Sequence, residues 1–222
     1  MIKEITRRCV IAGTHQAIYT SGTKLPEPIS TATYFHRPLN YAKLVETNFC
    51  SLPFNKTLAS MEQIYKLPRN SSITLHSVMK DDCPGIASLI ERHLLDKDLH
   101  QRFSLEEIEH WLMPRRDIIE SFVVKNSEGN VEALFSFYKI PSSVMTPCKY
   151  KTLEVGYLFY CFADDADLLD SVIRTGLLKA KELGIDVMNA LDVMGNGRFL
   201  NAHHFTKGDG ELHYYLYNWK TQ

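Results

Sequence analysis

The chain has 222 residues, of which 45% are hydrophobic and 23% are charged, and its formal net charge is −1. These values are ordinary for a globular protein that is long enough to bury a core without disulfides or metal. The near-neutral charge, with no run of more than two basic residues, argues against binding along a nucleic-acid backbone and against a polybasic membrane patch.

The cysteines and the apolar runs indicate the cellular compartment. Five cysteines are scattered along the chain without a CxxC pair, namely Cys9, Cys50, Cys83, Cys148 and Cys161. This usage is typical of reduced thiols in a cytosolic protein. No apolar run approaches the roughly 18 residues of a membrane span, and the charged opening residues are unlike a signal peptide. We therefore expect a cytoplasmic protein.

The first predicted element is a helix at the very start of the chain. Ile2, Ile5 and Cys9 recur at helical spacing, and Gly13 is the expected helix stop. No capping residue precedes this helix, and its apolar pattern is already in phase at Met1. The arrangement is typical of a chain cut inside an element, with initiation at Met1 as the alternative.

Two strands and two short helices are predicted next. The strands cover 16–20 and 31–36, which contain β-branched and aromatic residues, and glycine and proline lie between them. Asn40 and Thr57 are the expected N-caps of the helices. The polar segment 69–72 then predicts a domain boundary, because the pattern of elements restarts after it.

From residue 73 onward, the order of elements predicts an α+β fold with helices packed on a mixed, mostly antiparallel sheet. The elements are a strand over 73–78, helices starting near Cys83 and after Ser104, a hairpin over 119–138, a strand over 153–162, a helix capped by Asp164 or Asp165, and a buried strand over 187–191. By analogy, this is the order of a GNAT-type acyltransferase unit. Fold analogy alone does not establish a function.

The last predicted element is a glycine-acid-glycine turn that leads into an aromatic strand. Gly208-Asp209-Gly210 combines two residues that readily adopt positive φ with a carboxylate between them. Four aromatic side chains follow within six residues, from Tyr214 to Trp219. Because aromatic residues mainly bury area, we expect the tyrosines of this strand to be structural.

Several segments of the chain resemble, in order, the protein N-myristoyltransferase family. These segments are 2–8, 16–22, 34–40, 109–111, 136–142, 189–192, 208–210 and 214–220. Two of them are Tyr34-Phe35-His36-Arg37-Pro38-Leu39-Asn40 and Tyr214-Tyr215-Leu216-Tyr217-Asn218-Trp219-Lys220. The resemblance covers the whole chain.

The resemblance implies a fold of two GNAT-like halves, the first binding mainly myristoyl-CoA and the second a peptide that begins with glycine. Residues 1–68 are then the end of the N-terminal half and the crossover, and residues 73–222 are the C-terminal, peptide-binding half. The implied reaction transfers a myristoyl group from the thioester to an N-terminal glycine amine. Myristoyl-CoA is the implied co-substrate, bound mainly by an N-terminal half, and no covalently bound cofactor is expected.

Some residues of the peptide groove are implied by their position in the family pattern. Tyr19 and Thr20 are expected near the incoming glycine amine. Tyr34 and His36 are expected to contact the first residues of the peptide, and Phe49 is expected to form an apolar wall. As a lone histidine beside aromatic residues, His36 is equally well explained as a partly buried structural group.

The other implied groove residues are Tyr138 and Ser142, which offer hydroxyl groups, together with Leu212 and Asp209. The carboxylate of Asp209 is expected where a basic residue further along the peptide binds. Without the resemblance, Asp209 is better explained as a turn acid, because Asp-Gly is a common turn pair.

The chain departs from the family pattern in three ways. The acyl-CoA motif, whose backbone N–H groups stabilise the thioester oxyanion, is expected just before residue 1 and is missing from these 222 residues. His204 and Thr206 stand where the family usually has lysine and glycine. In the family, the C-terminal carboxylate folds back into the pocket and acts as the general base. Here only three residues follow Trp219, and their reach of roughly 10 Å is too short for this. We expect no catalytic role for the carboxylate of Gln222, and the catalytic residues remain unknown from sequence.

Other candidate chemistry has simpler explanations. His203 and His204 are adjacent, so their side chains point in different directions, and we expect no metal site. Ser136 and Ser142 lack a nucleophile elbow. The two arginines of the first helix, Arg7 and Arg8, could reach CoA phosphates, but a solvated face is the favoured interpretation.

Three functional hypotheses remain open. The first is the peptide-recognising portion of an N-myristoyltransferase, with little or no activity alone and a possible complementary N-terminal half as partner. The second is a non-catalytic module, or pseudo-enzyme, that binds peptides with N-terminal glycine. The third is a GNAT-like acetyltransferase, although its usual acetyl-CoA loop is not evident after 153–162. No nucleic-acid partner is expected, and a complete protein is expected to be a monomer.

Overall fold

The computed structural model describes residues 1–68 and 73–219 of the chain. These residues form two compact units, one of Met1–Tyr34 with the described part of Lys207–Gln222, and one of Phe35–Thr206. The predicted boundary at 69–72 and the predicted absence of a role for the Gln222 carboxylate lie outside the described residues. Both stay predictions, as does the division into residues 1–68 and 73–222.

The described residues contain helices and strands in alternation. The helices are α1 (Ile2–Ile11), α2 (Tyr41–Glu46), α3 (Leu58–Ile64), α4 (Cys83–Leu94), α5 (Leu105–Leu112), α6 (Ala166–Glu182) and α7 (Gly197–Leu200). The strands are β1 (Ala17–Ser21), β2 (Ser30–Pro38), β3 (His76–Ser77), β4 (Ile119–Lys125), β5 (Val131–Lys139), β6 (Ser142–Ser143), β7 (Thr152–Leu153), β8 (Val155–Ala163), β9 (Val187–Leu191) and β10 (Thr206–Tyr217). None of the described helices has the length and apolarity that crossing a membrane requires.

Most helices begin at the capping residues that the sequence predicts. The side chain of Asn40 accepts a hydrogen bond from a backbone N–H of α2 at 3.3 Å, and that of Asp165 accepts one from α6 at 2.8 Å. Thr57 and Ser104 each form a capping box. Asp82 differs, because its carboxylate accepts from the backbone N–H three residues earlier and makes no capping bond to α4.

In the smaller unit the strand order is β1-β10-β2. Strands β1 and β10 are antiparallel, in a register that runs from Ala17 opposite Tyr217 to Ser21 opposite His213. Helix α1 precedes them and ends before Gly13, which has a φ of 78°. The first predicted helix and the first two predicted strands are therefore confirmed.

The predicted glycine-acid-glycine turn is wrong. Gly208, Asp209 and Gly210 all lie inside β10, and Gly210 does not adopt positive φ. A Cβ at Gly210 would lie 3.3 Å from Cδ2 of Tyr34. This glycine therefore permits an aromatic ring to approach an extended strand closely, because glycine has no side chain at that position.

In the larger unit the strand order is β2-β9-β8-β5-β4-β3, with residues 35–38 of β2 belonging to this unit. The pairs β3–β4, β4–β5 and β5–β8 are antiparallel, and β8–β9 is parallel. Apolar clusters cover both faces of this sheet, one with α6 and the other with α4 and α5. The predicted α+β class with a mixed, mostly antiparallel sheet is confirmed.

The structure differs from the sequence-based elements in their extent. The strand predicted over 73–78 is confined to His76–Ser77, and the one predicted over 153–162 is divided between β7 and β8. The two-residue strand β6, which pairs with β7, and the one-turn helix α7 are not predicted. Elements this short contain no full period of apolar residues, so pattern alone does not reveal them.

Candidate functional site

The predicted groove residues are divided between the two units. The smaller unit carries Tyr19, Thr20, Tyr34, Asp209 and Leu212, and the larger unit carries His36, Phe49, Tyr138 and Ser142. Their assignment to a peptide groove stays a prediction. What the structure adds is the arrangement of the side chains within each unit.

In the larger unit a buried asparagine fixes the imidazole of His36. Nδ1 of His36 lies 2.7 Å from Oδ1 of Asn189, which is buried in β9. Because an amide oxygen only accepts hydrogen bonds, Nδ1 carries the proton and donates. In the neutral ring, Nε2 is then the atom with the free lone pair. Asn189 thus selects the tautomer in which His36 offers an acceptor.

Phe49 contacts the same imidazole. Its ring meets that of His36 edge-on, with the centroids 5.5 Å apart and the planes at 89°. Asn48, with a φ of 56°, follows the end of α2, and the backbone N–H of Phe49 donates to Leu44 O at 2.9 Å. Phe49 remains 40% exposed, so it presents apolar surface beside His36, and its role as a wall of the peptide groove stays a prediction.

Helix α2, which leads to Phe49, is held by a buried carboxylate. Asp186 accepts from Nζ of Lys43 at 2.6 Å and from Nδ2 of Asn40 at 3.1 Å. It also accepts from the backbone N–H of Glu154 at 2.8 Å. The carboxylate is therefore satisfied by several donors, as a buried charge must be. Asp186 directly precedes β9, so one strand positions both α2 and the amide that fixes His36.

Tyr138 and Ser142 also belong to the larger unit, Tyr138 within β5 and Ser142 within β6. The ring of Tyr138 stacks on that of Tyr157 in the neighbouring strand, with centroids 5.3 Å apart, and meets Phe159 edge-on at 5.9 Å. Ser142 is exposed in β6, where its backbone pairs with Leu153. Tyr138 is thus part of an aromatic stack, and Ser142 offers a hydroxyl at the surface.

In the smaller unit the ring of Tyr19 stacks on the ring of Tyr215. Their centroids are 5.0 Å apart and their planes differ by 18°. The hydroxyl of buried Tyr215 donates to Leu25 O at 3.1 Å and accepts from Leu25 N–H at 2.7 Å. Tyr215 thus has the predicted structural role, since it fixes the loop between β1 and β2. Tyr19 stays 42% exposed on top of it.

The strand register sorts the remaining residues of this unit onto two faces. Cross-strand partners share a face and successive residues alternate. Thr20 lies opposite Tyr214, so it shares a face with Leu212. Asp209 lies on the other face, the face of Tyr215. Asp209 is exposed and makes no hydrogen bond or ion pair with any described residue.

The adjacent histidines have different partners, as their positions predict. Nε2 of His203 lies 3.0 Å from Oδ1 of Asp170, whereas the ring of His204 lies edge-on to Tyr65. Burial lowers the pKa of His203 and outweighs Asp170, because that half-exposed carboxylate also pairs with Arg174 at 2.6 Å. Across residues 1–68 and 73–219, no group of three or more potential ligands is placed to hold a metal ion.

The two arginines of α1 and the hydroxyl of Ser136 also have structural partners. Glu4 forms ion pairs with Arg7 at 2.7 Å and with Arg8 at 2.9 Å on the exposed surface of α1. Ser136 is buried and lies 2.8 Å from the hydroxyl of Ser121 on the neighbouring strand. Neither arrangement resembles an activated nucleophile or a phosphate site.

Neither Asn189 nor Asp186 is among the site residues predicted from sequence. Both are polar residues in an apolar context, since Asn189 lies in Val187–Leu191 and Asp186 directly precedes that strand. Buried polar groups almost always have hydrogen-bond partners. A polar residue within a predicted buried strand is therefore the signal that points to such residues, although it does not identify the partner.

Comparisons with known proteins agree along the whole chain. The model of the myristoyl-CoA:protein N-myristoyltransferase C-terminal domain matches residues 46–222, and that of the N-terminal domain matches residues 1–32. Glycylpeptide N-tetradecanoyltransferase 2 of Danio rerio is 42% identical over 99% of this chain and 45% of its own length. The Drosophila melanogaster glycylpeptide N-tetradecanoyltransferase is 39% identical over 99% of this chain and 47% of its own length.

Solved structures show the same relationship. A structure of Saccharomyces cerevisiae N-myristoyltransferase with bound myristoyl-CoA superposes with a TM-score of 0.92 at 34% identity, over 100% of this chain and 55% of the yeast chain. A GCN5-related N-acetyltransferase from Anabaena variabilis shares the fold alone, with a TM-score of 0.54 at 8% identity. The chain spans about half the length of the curated relatives it matches. On these similarities, the chain belongs to the protein N-myristoyltransferase family.

Proposed function

We propose that this chain is the peptide-recognising portion of a protein N-myristoyltransferase, which transfers a myristoyl group from myristoyl-CoA to an N-terminal glycine. The observation that supports the proposal is the similarity, over 99–100% of the chain, to proteins named for this reaction. The chain acts in the cytoplasm on peptides or proteins that begin with glycine. Myristoyl-CoA is the co-substrate.

His36 and Phe49 form the core of the proposed peptide contact. The edge-on pair presents an apolar ring next to an imidazole whose tautomer is fixed by Asn189. In this tautomer Nε2 accepts a hydrogen bond from a donor on the peptide. Tyr34, Tyr138 and the other predicted residues extend the contact surface in their own units.

The chemical step makes modest demands on this chain. The glycine amine attacks the thioester only when neutral, and the pKa of a free α-amino group is about 7.7–8.0. Positioning the amine and stabilising the oxyanion are then the main contributions to catalysis. The N-terminal family model matches only residues 1–32, so we assign the oxyanion donors to residues outside this chain. The chain alone is expected to show little or no turnover.

The test is a transfer assay with myristoyl-CoA and a glycine-first peptide. The 222-residue chain is assayed alone and together with a separately supplied N-terminal half of a relative, and peptide binding is measured in parallel by calorimetry. Peptide binding with turnover only after complementation supports the proposal. Turnover by the chain alone contradicts the incomplete-enzyme part, and absence of peptide binding contradicts the whole.

A second candidate is a non-catalytic module that binds peptides with N-terminal glycine. It needs only the proposed peptide contact at His36 and Phe49, and no group that activates the thioester. The same assay distinguishes the two, because such a module binds the peptide without turnover even when the complementary half is present. A peptide whose first residue is alanine is the matched control, since both candidates require the leading glycine.

A further inference from the structure

The larger unit contains a cavity of about 240 Å³. The residues that line it are distant in sequence from His36 and Phe49, and they differ from that pair in being partly cationic. The cavity is lined by the end of α4 and the residues after it, by β8 and by the segment after β9. The lining residues are Arg92, His93, Asp96, Lys97, Phe162, Met194, Gly195 and Arg198. Three of these side chains are cationic. None of them is among the predicted groove residues.

The position of the cavity follows from the parallel pair of strands. Strands β8 and β9 pair over 155–157 and 187–189, and both continue beyond that register. Phe162 lies near the carboxyl end of β8, and residues 194–198 follow the carboxyl end of β9. The space outside the carboxyl ends of parallel strands is where open sheets commonly bind ligands.

The cations of the cavity are not fully neutralised. Arg92 forms three hydrogen bonds with Asp164, of 2.6 to 3.0 Å, and Lys97 pairs with Asp96 at 2.7 Å. Arg198 makes no hydrogen bond or ion pair with any residue in the described ranges. Two carboxylates therefore face three cations, and the uncompensated charge belongs to Arg198.

The backbone beside Arg198 is open to a ligand. Gly195 has a φ of 80°, and a Cβ at either Gly195 or Gly197 would meet no atom within 4 Å. On the opposite wall the ring of His93 stacks on Phe162, with centroids 5.0 Å apart and planes at 1°. Burial and then the charge of Arg92 lower the pKa of His93. Nε2 of His93 is buried without a hydrogen-bond partner among the described residues, and the stacked rings form one wall of the cavity.

We propose that this cavity binds a phosphate-class oxyanion, with the guanidinium of Arg198 as its main partner. The N–H groups of Arg92 and Lys97 that their carboxylates leave free supply further donors. Guanidinium groups match phosphate oxygens in geometry, and charge-assisted hydrogen bonds are the strong ones. The volume suits a single phosphoryl group better than a nucleotide.

The test titrates inorganic phosphate into the 222-residue chain at constant ionic strength, because salt screens exposed charges. The backbone amide signals of Gly195 and Gly197 in ¹H–¹⁵N NMR spectra report the site directly. We expect saturable shifts at these two amides. Arg198→Ala is expected to raise Kd by about tenfold or more, the scale of one charge-assisted hydrogen bond.

The matched control is Arg174→Ala, which removes another exposed arginine, one on α6 that does not line the cavity. It is expected to leave Kd unchanged. Equal weakening by both variants, or shifts that fail to saturate, would overturn the proposal. Glycerol phosphate distinguishes the source, since tighter binding than inorganic phosphate indicates a phosphomonoester, and weaker binding indicates free phosphate. Neither result depends on peptide binding.

Discussion

Gly176 of α6 passes so close to Phe135 of β5 that a Cβ at this glycine would lie 2.5 Å from Cδ1 of the ring. Alanine normally stabilises a helix relative to glycine by about 0.5–1 kcal/mol. Here the added methyl group must displace a buried ring. We expect Gly176→Ala to lower the free energy of unfolding by about 1–3 kcal/mol, measured by urea denaturation.

Gly197→Ala is the matched control for this prediction. Gly197 is also helical, and its Cβ would meet nothing within 4 Å. We expect this variant to be as stable as the wild type or slightly more so. Equal destabilisation by both substitutions would contradict the close packing of α6 on β5.

The second prediction concerns the tautomer of His36. Asn189→Leu removes the acceptor of the Nδ1–H bond and leaves a donor without its buried partner. We expect a loss of about 1–3 kcal/mol in stability and weaker binding of a glycine-first peptide. The ¹⁵N shifts of the His36 ring report the tautomer, and they should lose their preference for Nδ1–H.

Asn201→Leu is the control, because this asparagine is exposed and its side chain has no partner among the described residues. Both the ring shifts and the peptide affinity should remain as in the wild type. An unchanged tautomer in Asn189→Leu would show that another group positions His36.

The third prediction concerns a buried guanidinium. Arg37 donates to Pro38 O at 2.6 Å and to Tyr65 O at 3.1 Å, and its guanidinium lies 5.2 Å from the centre of the Tyr65 ring. Burial lowers its pKa to about 10, so it remains charged at neutral pH. We expect Arg37→Met to destabilise the chain by about 2 kcal/mol or more, because one buried and one partly buried carbonyl group lose a charged donor.

Arg174→Met, at an exposed ion pair, should change the stability by less than about 1 kcal/mol. Urea denaturation of both variants gives the comparison. If Arg37→Met were as stable as the wild type, the penalty of burying the charge would equal the gain from its hydrogen bonds.

The fourth prediction is a pH dependence that arises from His203. Burial lowers the pKa of His203 in the folded chain below its unfolded value near 6.5. Between the two pKa values the unfolded chain binds more protons, so stability decreases as the pH falls below about 6.5 and is fully present above it. The groups that face His203 are Asp170, Arg174, Arg37 and His204.

We expect His203→Gln to flatten this part of the stability profile, measured by thermal unfolding at a series of pH values. His110→Gln, at an exposed position on α5, should keep the wild-type slope. A steeper loss in acid for His203→Gln than for the wild type would contradict the assigned sign.

The fifth prediction follows from the proposed function. Asp209→Asn should weaken binding of a lysine-bearing glycine-first peptide by up to about fivefold, the scale of an exposed ion pair. Binding of the same peptide with glutamine in place of lysine should not change. Glu211→Gln, on the same face of β10, is the control. An unchanged affinity of Asp209→Asn for the lysine peptide would remove this role from the carboxylate.

Local features of the fold could be predicted because they are encoded in neighbouring residues. Asn40, Thr57, Ser104 and Asp165 start helices through bonds to residues three positions away. The α+β class follows from the order of such elements. The family also follows from short segments in order, and each predicted groove residue could be named from them.

The sequence alone therefore determined most of the longer elements, the fold class and the family of this protein. Only the tertiary structure decided which side chains meet. His36 and Asn189 are 153 positions apart, and Gly210 lies inside a strand beside Tyr34, although its sequence context predicts a turn. The physical reason is the range of the interactions. Helix caps and apolar periodicity involve residues within one or two helical turns of each other, so they can be recognised in a short segment. Pairings between distant strands depend on sheet order and register, which no single segment specifies.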